Sequence, residues 1–271
     1  VCSSDLSSID MTDNENIYKM TTSIIKIVTS LLLLRGSDVQ AGNKFCETLG
    51  EKHNLCLFEV DKLGTACSKH GPGAKILNPS DADKELIVQI HNDYRRRIAK
   101  GEQKTPELPK AGDMKALSWD NELSTIAQTW ANQCFFAHDQ YFSRRTKEEK
   151  YIGQNMFRVL NPSNSTSVLS VMVDQWYDEV RGISLKQIKH YKPGLGPSIG
   201  HFSQVVWANT NKVGCGVVVY PEKLQKQTVM TETVVCNYSP AGNYYLKKIY
   251  SEGEPCSACP GDCSDGLCLE P

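Results

Sequence analysis

Residues 200–220 read GHFSQVVWANTNKVGCGVVVY, and the fold turns on how that run divides. Its second half, VGCGVVVY (213–220), is rich in β-branched residues and carries a cysteine between two glycines. A second run of the same kind, TVMTETVVCNY (228–238), follows after PEKLQKQ. Two such runs with a short polar connection predict neighbouring strands. Working outward, SDADKELIVQIHNDYRRRIA (80–99) places Leu86, Ile90, Tyr94 and Ile98 at four-residue steps behind a Ser80/Asp83 capping pair. That pattern predicts a helix. WDNELSTIAQTWANQC (119–134) and SVLSVMVDQWYDEV (167–180) repeat the helical spacing, and YIGQNMFRV (151–159) reads as a further strand. Helices around a small antiparallel sheet predict an α+β fold, a layered sandwich.

The 271-residue chain has a formal net charge of -1 and 11 cysteines. Its composition matches neither a basic nucleic-acid binder nor a disordered chain, and near-neutrality argues against a polyanion partner. Met20, Lys26, the apolar run IVTSLLLL (27–34) and Val39-Gln40-Ala41 follow the order of a secretory signal peptide cleaved near Ala41. The apolar run is too short to span a bilayer. Residues 1–19 are then expected to be a non-native leader ahead of a start at Met20. The rest divides into a cysteine-containing lead (42–79, mostly loop), a globular body (80–250) and a cysteine-rich tail (251–271).

Removing residues 1–41 takes away only Cys2, leaving an even number of cysteines. Behind a signal peptide, that implies an oxidising compartment and a disulfide framework. Zinc held by Cys256-x-x-Cys259 is the alternative, but the chain lacks a second such pair. The tail, SEGEPCSACPGDCSDGLCLEP, cannot build a core and is expected to rely on its own bridges.

Several prominent residues have ordinary readings. Arg95-Arg96-Arg97 is expected to be a solvated helix face. The aromatics of CFFAHDQYF (134–142) fit either a core or a lined groove. Asn164-Ser165-Thr166 is an N-glycosylation sequon in a polar loop; Asn237-Tyr238-Ser239 also fits but adjoins a strand cysteine and is discounted. Neither G-x-S-x-G nor H-E-x-x-H occurs. His138 and His201 cannot be paired by spacing alone.

Taken in series, the motifs resemble the CAP superfamily: cysteine-rich secretory proteins, insect antigen-five venom allergens and pathogenesis-related plant proteins. GHFSQVVWANT (200–210) resembles its first signature and CNYSPAGNYY (236–245) its second. HNDYRRRIAKG (91–101), LSWDNELSTIAQTWANQC (117–134), IGQNM (152–156) and QWYDEV (175–180) fall in the family's order. The lead is similar to the antigen-five subgroup, and PCSACPGDCSDGLC (255–268) to the hinge of cysteine-rich secretory proteins. The resemblance implies a three-layer α-β-α sandwich. It also implies the disulfides Cys46–Cys56, Cys67–Cys134, Cys215–Cys236, Cys256–Cys263 and Cys259–Cys268.

The resemblance further implies a cleft lined by two histidines and two acids. The histidines fall on His138 and His201 and one acid on Glu179. The second acid position holds Gln154. Two neutral imidazoles suffice to hold a divalent, zinc-like ion, but Gln154 cannot take a proton from bound water. The expected function is therefore a secreted, non-enzymatic binding protein of antigen-five type with no required cofactor. Its partner would be an extracellular protein, a lipid or a sterol. A lipid or sterol carrier, and a metal-dependent hydrolase using His138, His201 and Glu179, are the alternatives.

Overall fold

The computed structural model describes residues 46–194 and 196–270. The expected leader, signal peptide and cleavage site lie outside the described residues. In chain order the main elements are β1 (Lys75–Leu77), α1 (Asp81–Ala99), β2 (Ser118–Trp119), α2 (Asn121–Ala131), β3 (Gly153–Leu160) and α3 (Ser165–Asp178). They continue with α4 (Leu185–Lys189), α5 (Gly200–Val205), β4 (Lys212–Leu224), β5 (Gln227–Ser239), β6 (Cys263–Ser264) and β7 (Leu267–Cys268).

Strands β4 and β5 form one long hairpin, paired from Lys212 with Ser239 to Leu224 with Gln227. The expected PEKLQKQ loop is thus mostly strand, and only Gln225 and Lys226 turn the chain, Gln225 at φ 54°. Pro221 is tolerated because β1 pairs with β4 only at Val217–Val219, so Pro221 lies where β4 is an edge. Strand β3 pairs antiparallel with the other side of β5, and β2 runs parallel to the start of β4. The lead is more than loop, since β1 joins the sheet from it.

Side-chain alternation along the hairpin separates two cores. Cys215, Val217, Val234, Cys236 and Tyr238 belong to the larger one, with α1, α3 and α5. Val218, Tyr220 and Val235 face the other way, against Ala127 and Ala131 of α2. The result is a three-layer α-β-α sandwich.

The two glycines around Cys215 set the distance between α2 and the sheet. A Cβ on Gly214 would lie 2.3 Å from Ser124 N, and one on Gly216 2.2 Å from Gln128 Cα. The helix backbone therefore rests directly on the strand. Its side chains then complete the ladder between β2 and β1. Ser124 Oγ donates to Cys215 O at 2.8 Å, and Gln128 both donates to Val217 O (2.8 Å) and accepts from Val217 N (2.9 Å). On the opposite face Cys215 and Cys236, directly opposed in register, are joined by a disulfide.

Helix α1 starts with a capping box between Ser80 and Asp83. Its buried stripe runs through Ile87, His91, Arg95 and Ile98, one position later than the Leu86, Ile90 and Tyr94 expected from the sequence. Arg95 is thus a correction: it is fully buried, not part of a solvated face. Its guanidinium donates to the carbonyls of Lys115 (2.7 Å), Val205 (3.0 Å), Trp207 (2.9 Å), Ala208 (3.2 Å) and Thr210 (2.8 Å). His91 Nδ1 donates to Ile87 O at 2.7 Å, so Nε2 accepts from the Tyr238 hydroxyl at 2.9 Å. Burial pulls His91 down to about 4, keeping it neutral.

The tail is held by more than its own bridges. Alongside Cys256–Cys263 and Cys259–Cys268, Leu267 enters the larger core and Cys268 N donates to Met114 O at 2.8 Å. Asp265 pairs with Arg96 of α1 and with Lys100, which caps its C-terminus. Cys67–Cys134 ties the lead to the end of α2, and Cys46 and Cys56 are also disulfide-bonded.

Two substitutions test these contacts by urea unfolding of the oxidised protein. Arg95→Lys, with three donors for five carbonyls, is expected to cost about 2–4 kcal/mol. Gly216→Ala is expected to cost about 2 kcal/mol or more. Gly261→Ala, with nothing within 4 Å of the added carbon, should stay within about 0.5 kcal/mol.

Candidate functional site

The site is built around edge strand β3. Gln154 and Asn155 are successive strand residues, so their side chains point to opposite faces of the sheet. Gln154 Oε1 accepts from His138 Nδ1 at 2.7 Å, in the segment that follows α2. On the other face Asn155 Nδ2 donates to His201 O at 3.2 Å, on α5. One histidine is thus held from each outer layer.

The orientation of the Gln154 amide is fixed by its neighbours. Its nitrogen donates to Asp139 Oδ1 (3.1 Å) and Asn237 Oδ1 (3.1 Å). Asp139 is buried and also accepts from Asn54 (2.5 Å) and Arg144. Because Asp139 is an acceptor, the amide oxygen must be the atom that faces His138. His138 therefore carries its proton on Nδ1.

Glu179 does the corresponding work for His201. Its Oε1 accepts from His201 Nδ1 at 2.8 Å, and its Oε2 accepts from the backbone N–H groups of His201 (2.8 Å) and Phe202 (3.1 Å). Burial alone would raise the Glu179 carboxyl, but the His201 side chain and the two N–H groups outweigh it and hold it below the usual range. Trp176 stacks on the His201 ring at 6.0 Å between centroids.

Both histidines thus have Nδ1 engaged, and Nε2 is the ring atom left for a ligand. A cleft of ≈ 350 Å³ is lined by His138, Gln154, Tyr141, Tyr151, Gln204 and Tyr244, but not by His201 or Glu179. The four residues expected to line one cleft form two hydrogen-bonded pairs, His138 with Gln154 and His201 with Glu179, and Gln204 of α5 joins His138 in the cleft wall. Among the described residues the one trio of His, Cys, Asp or Glu ligand atoms lying within 4.8 Å of one another is Cys256, Cys259 and Cys263. Those cysteines are in disulfides and offer no thiolate to a metal.

Sequence reading missed Asp139, Asn155, Asn237 and Trp176. Asp139 carried a signal, as the acid directly after His138; Asn155 and Asn237 reach the site through the strands, and Trp176 reaches it from α3, three residues before Glu179. The aromatics Phe135, Phe136, Tyr141 and Phe142 are exposed, so they are not core. Asn237 is fully buried and unsuited to a glycan, whereas Asn164 is exposed and caps α3 through Oδ1, accepting from Ser167 N at 2.8 Å.

The fold and site define a disulfide-bonded α-β-α sandwich with two oriented imidazoles at the edge of its sheet. Residues 88–238 match the model of the CAP, cysteine-rich secretory protein family. The chain is 38% identical over 205 residues to Venom allergen 5 of Microctonus hyperodae, covering 74% of this chain and 83% of that one. It is 35% identical over 252 residues to CRISP/Allergen/PR-1 of Trittame loki, covering 88% of this chain but 59% of that one. The crystal structure of NaASP2 with Zn2+ superposes with a TM-score of 0.59 at 31% identity, over 72% of this chain and 100% of that one. The chain belongs to the CAP family and is similar to its venom-allergen members. No described helix is long and apolar enough to cross a membrane.

Two pH-dependent outcomes follow. Gln154→Glu would place a carboxylate against Asp139, so its carboxyl should be raised and the variant destabilised by about 1–3 kcal/mol at neutral pH. The deficit should shrink as pH falls, because the protonated acid again has a proton to donate. Glu179, being lowered in the folded state, contributes stability above about pH 4.3 that is lost as pH falls through its folded value. The stability difference between wild type and Glu179→Gln should therefore narrow on acidification, as read by urea unfolding at stepped pH.

Proposed function

We propose that this chain is a secreted venom-allergen-type protein that acts by binding and not by turnover. The observation that carries the reading is the Gln154 amide. It stands where the family resemblance implies an acid, its oxygen is committed to His138, and its nitrogen is committed to Asp139 and Asn237. Such a group orients an imidazole but cannot accept a proton from water. Glu179 is committed in the same way, with both oxygens accepting hydrogen bonds at His201 and Phe202. The disulfides and the resemblance to secreted proteins support an extracellular setting, and the exposed Asn164 is its candidate glycan acceptor.

His138 and His201, each with Nδ1 engaged and Nε2 left for a ligand, are the residues that would hold a divalent zinc-like ion, which would supply positive charge for a ligand's oxygen or a host protein's side chain. Isothermal titration with zinc should give saturable binding that is lost in His138→Ala and in His201→Ala. Peptide and ester turnover with added zinc should be equal in wild type and His201→Ala. Turnover that disappears in His201→Ala would replace this reading with a metal-dependent hydrolase.

A lipid or sterol ligand is favoured by one feature. Tyr141, Phe142 and Tyr151 are exposed next to the His138 cleft, with Tyr141 and Tyr151 ring centroids 6.2 Å apart. Mass spectrometry of lipids extracted from the purified native protein decides this. Lipid at background level removes the carrier reading and leaves a protein target.

A further inference from the structure

We propose that α4 and the loop after it form a second binding site, for a small organic anion, independent of the His138 cleft. The run from Val180 to His201 contains no acidic residue. Described residues of this run, among them Lys186, Gln187, His190, Lys192 and Pro197, line a cleft of ≈ 340 Å³ with no carboxylate on its wall. Arg181 pairs with Asp178 and Lys189 approaches Glu252, whereas Lys186 and Lys192 have no acidic partner among the described residues.

The hydrogen-bonding capacity of this cleft is biased toward donors. Gln187 Oε1 already accepts from the Ser184 N–H (3.1 Å) and hydroxyl (3.0 Å), so Gln187 faces the cleft with its NH2 group to spare. Lysine ammonium groups donate and never accept. Lys186 of α4 and His190, just past its end, both line this cleft. A cluster of unsatisfied donors with net positive charge selects an oxyanion: a carboxylate, sulfate or phosphate ester.

The same cleft has an apolar side. A Cβ on Gly182 would lie 2.7 Å from Pro197 Cβ, so the proline ring packs onto the glycine backbone. Lysine stems add methylene surface. The frame beneath is fixed: Ile188 is fully buried, and Ile188, Tyr191, Leu246 and Ile249 exchange backbone hydrogen bonds of 2.8 Å between Ile249 N and Ile188 O and between Leu246 N and Tyr191 O. The ligand class is therefore an oxyanion carried on a compact apolar body. None of the residues named shares the His138 cleft.

The test is isothermal titration of the full chain with phenyl phosphate and with benzoate, using benzyl alcohol as the neutral control. At about 50 mM salt at least one anion should bind saturably with a Kd of about 1 mM or tighter. The stronger of the two identifies the headgroup. Lys186→Gln with Lys192→Gln should weaken it about tenfold or more, with circular dichroism unchanged. No saturation by either anion up to about 20 mM, equal binding of benzyl alcohol, or undiminished binding in the double variant would overturn the proposal. Zinc titration of the same variant reads the His138–His201 site separately, so either proposal can fail alone.

Discussion

The Arg95 guanidinium gathers five backbone carbonyls, at residues 115, 205, 207, 208 and 210, and the arrangement of the sandwich depends on that convergence. Four of the five lie between the end of α5 and the start of β4. Arg95 therefore sets where the helix carrying His201 leaves off and where the central hairpin begins, both relative to α1. A buried cation without a carboxylate partner is costly unless dipoles replace its water. Here every carbonyl bond supplies one, and although burial pulls Arg95 down to about 9 it remains charged at neutral pH. Nearby His91 resolves the same problem the other way, by staying neutral between a carbonyl and a hydroxyl.

With that frame fixed, edge strand β3 divides the candidate site. A strand inside the sheet would be flanked on both sides, but β3 pairs only with β5. Its free edge lets groups from opposite layers approach the same few residues. Gln154 orients His138 on the α2 side, and Asn155 anchors the backbone of His201 on the α5 side. Each imidazole is held by an acceptor on Nδ1, which sets its tautomer. The site is preorganised by hydrogen bonds that are complete before any ligand arrives.

How much of this the sequence carried depends on whether the decisive contact was local. The capping box of α1, the hairpin strands and the helical periods of α2 and α3 are set by residues a few positions apart, and they were legible. The extra length of β4 and β5 was not, because Pro221 and PEKLQKQ read as a break until β4's partners are known. Burial of Arg95 and His91 was hidden for a different reason. Their partners are backbone carbonyls and a tyrosine brought up by remote segments, so no residue type near them announces the satisfaction of their donors. Gly214 and Gly216 did carry a signal, since glycine in a strand marks close backbone approach, but the approaching helix could not be named from it. The tail's docking was masked by its composition, in which Leu267 is one apolar residue among Gly, Pro and Asp.

The amide at position 154 is best understood together with Asp139. Asp139 is buried next to Arg144 and Asn54 and presents Oδ1 to residue 154. A carboxylate in that place needs a donor facing it, and Asn237 also offers an oxygen to the same atom. Only a group with N–H donors on one side and an acceptor on the other meets Asp139, Asn237 and His138 at once, and glutamine's amide has that form. The chemistry of the site is thus decided by a chain of hydrogen bonds in which Asp139 accepts from Arg144 and from the Gln154 amide, whose oxygen in turn accepts from His138. His138 is thereby oriented by an amide dipole, whereas His201 is oriented by the Glu179 carboxylate. The two histidines are therefore unequal: His201 donates to a carboxylate in a charge-assisted bond, and His138 donates to a neutral amide oxygen.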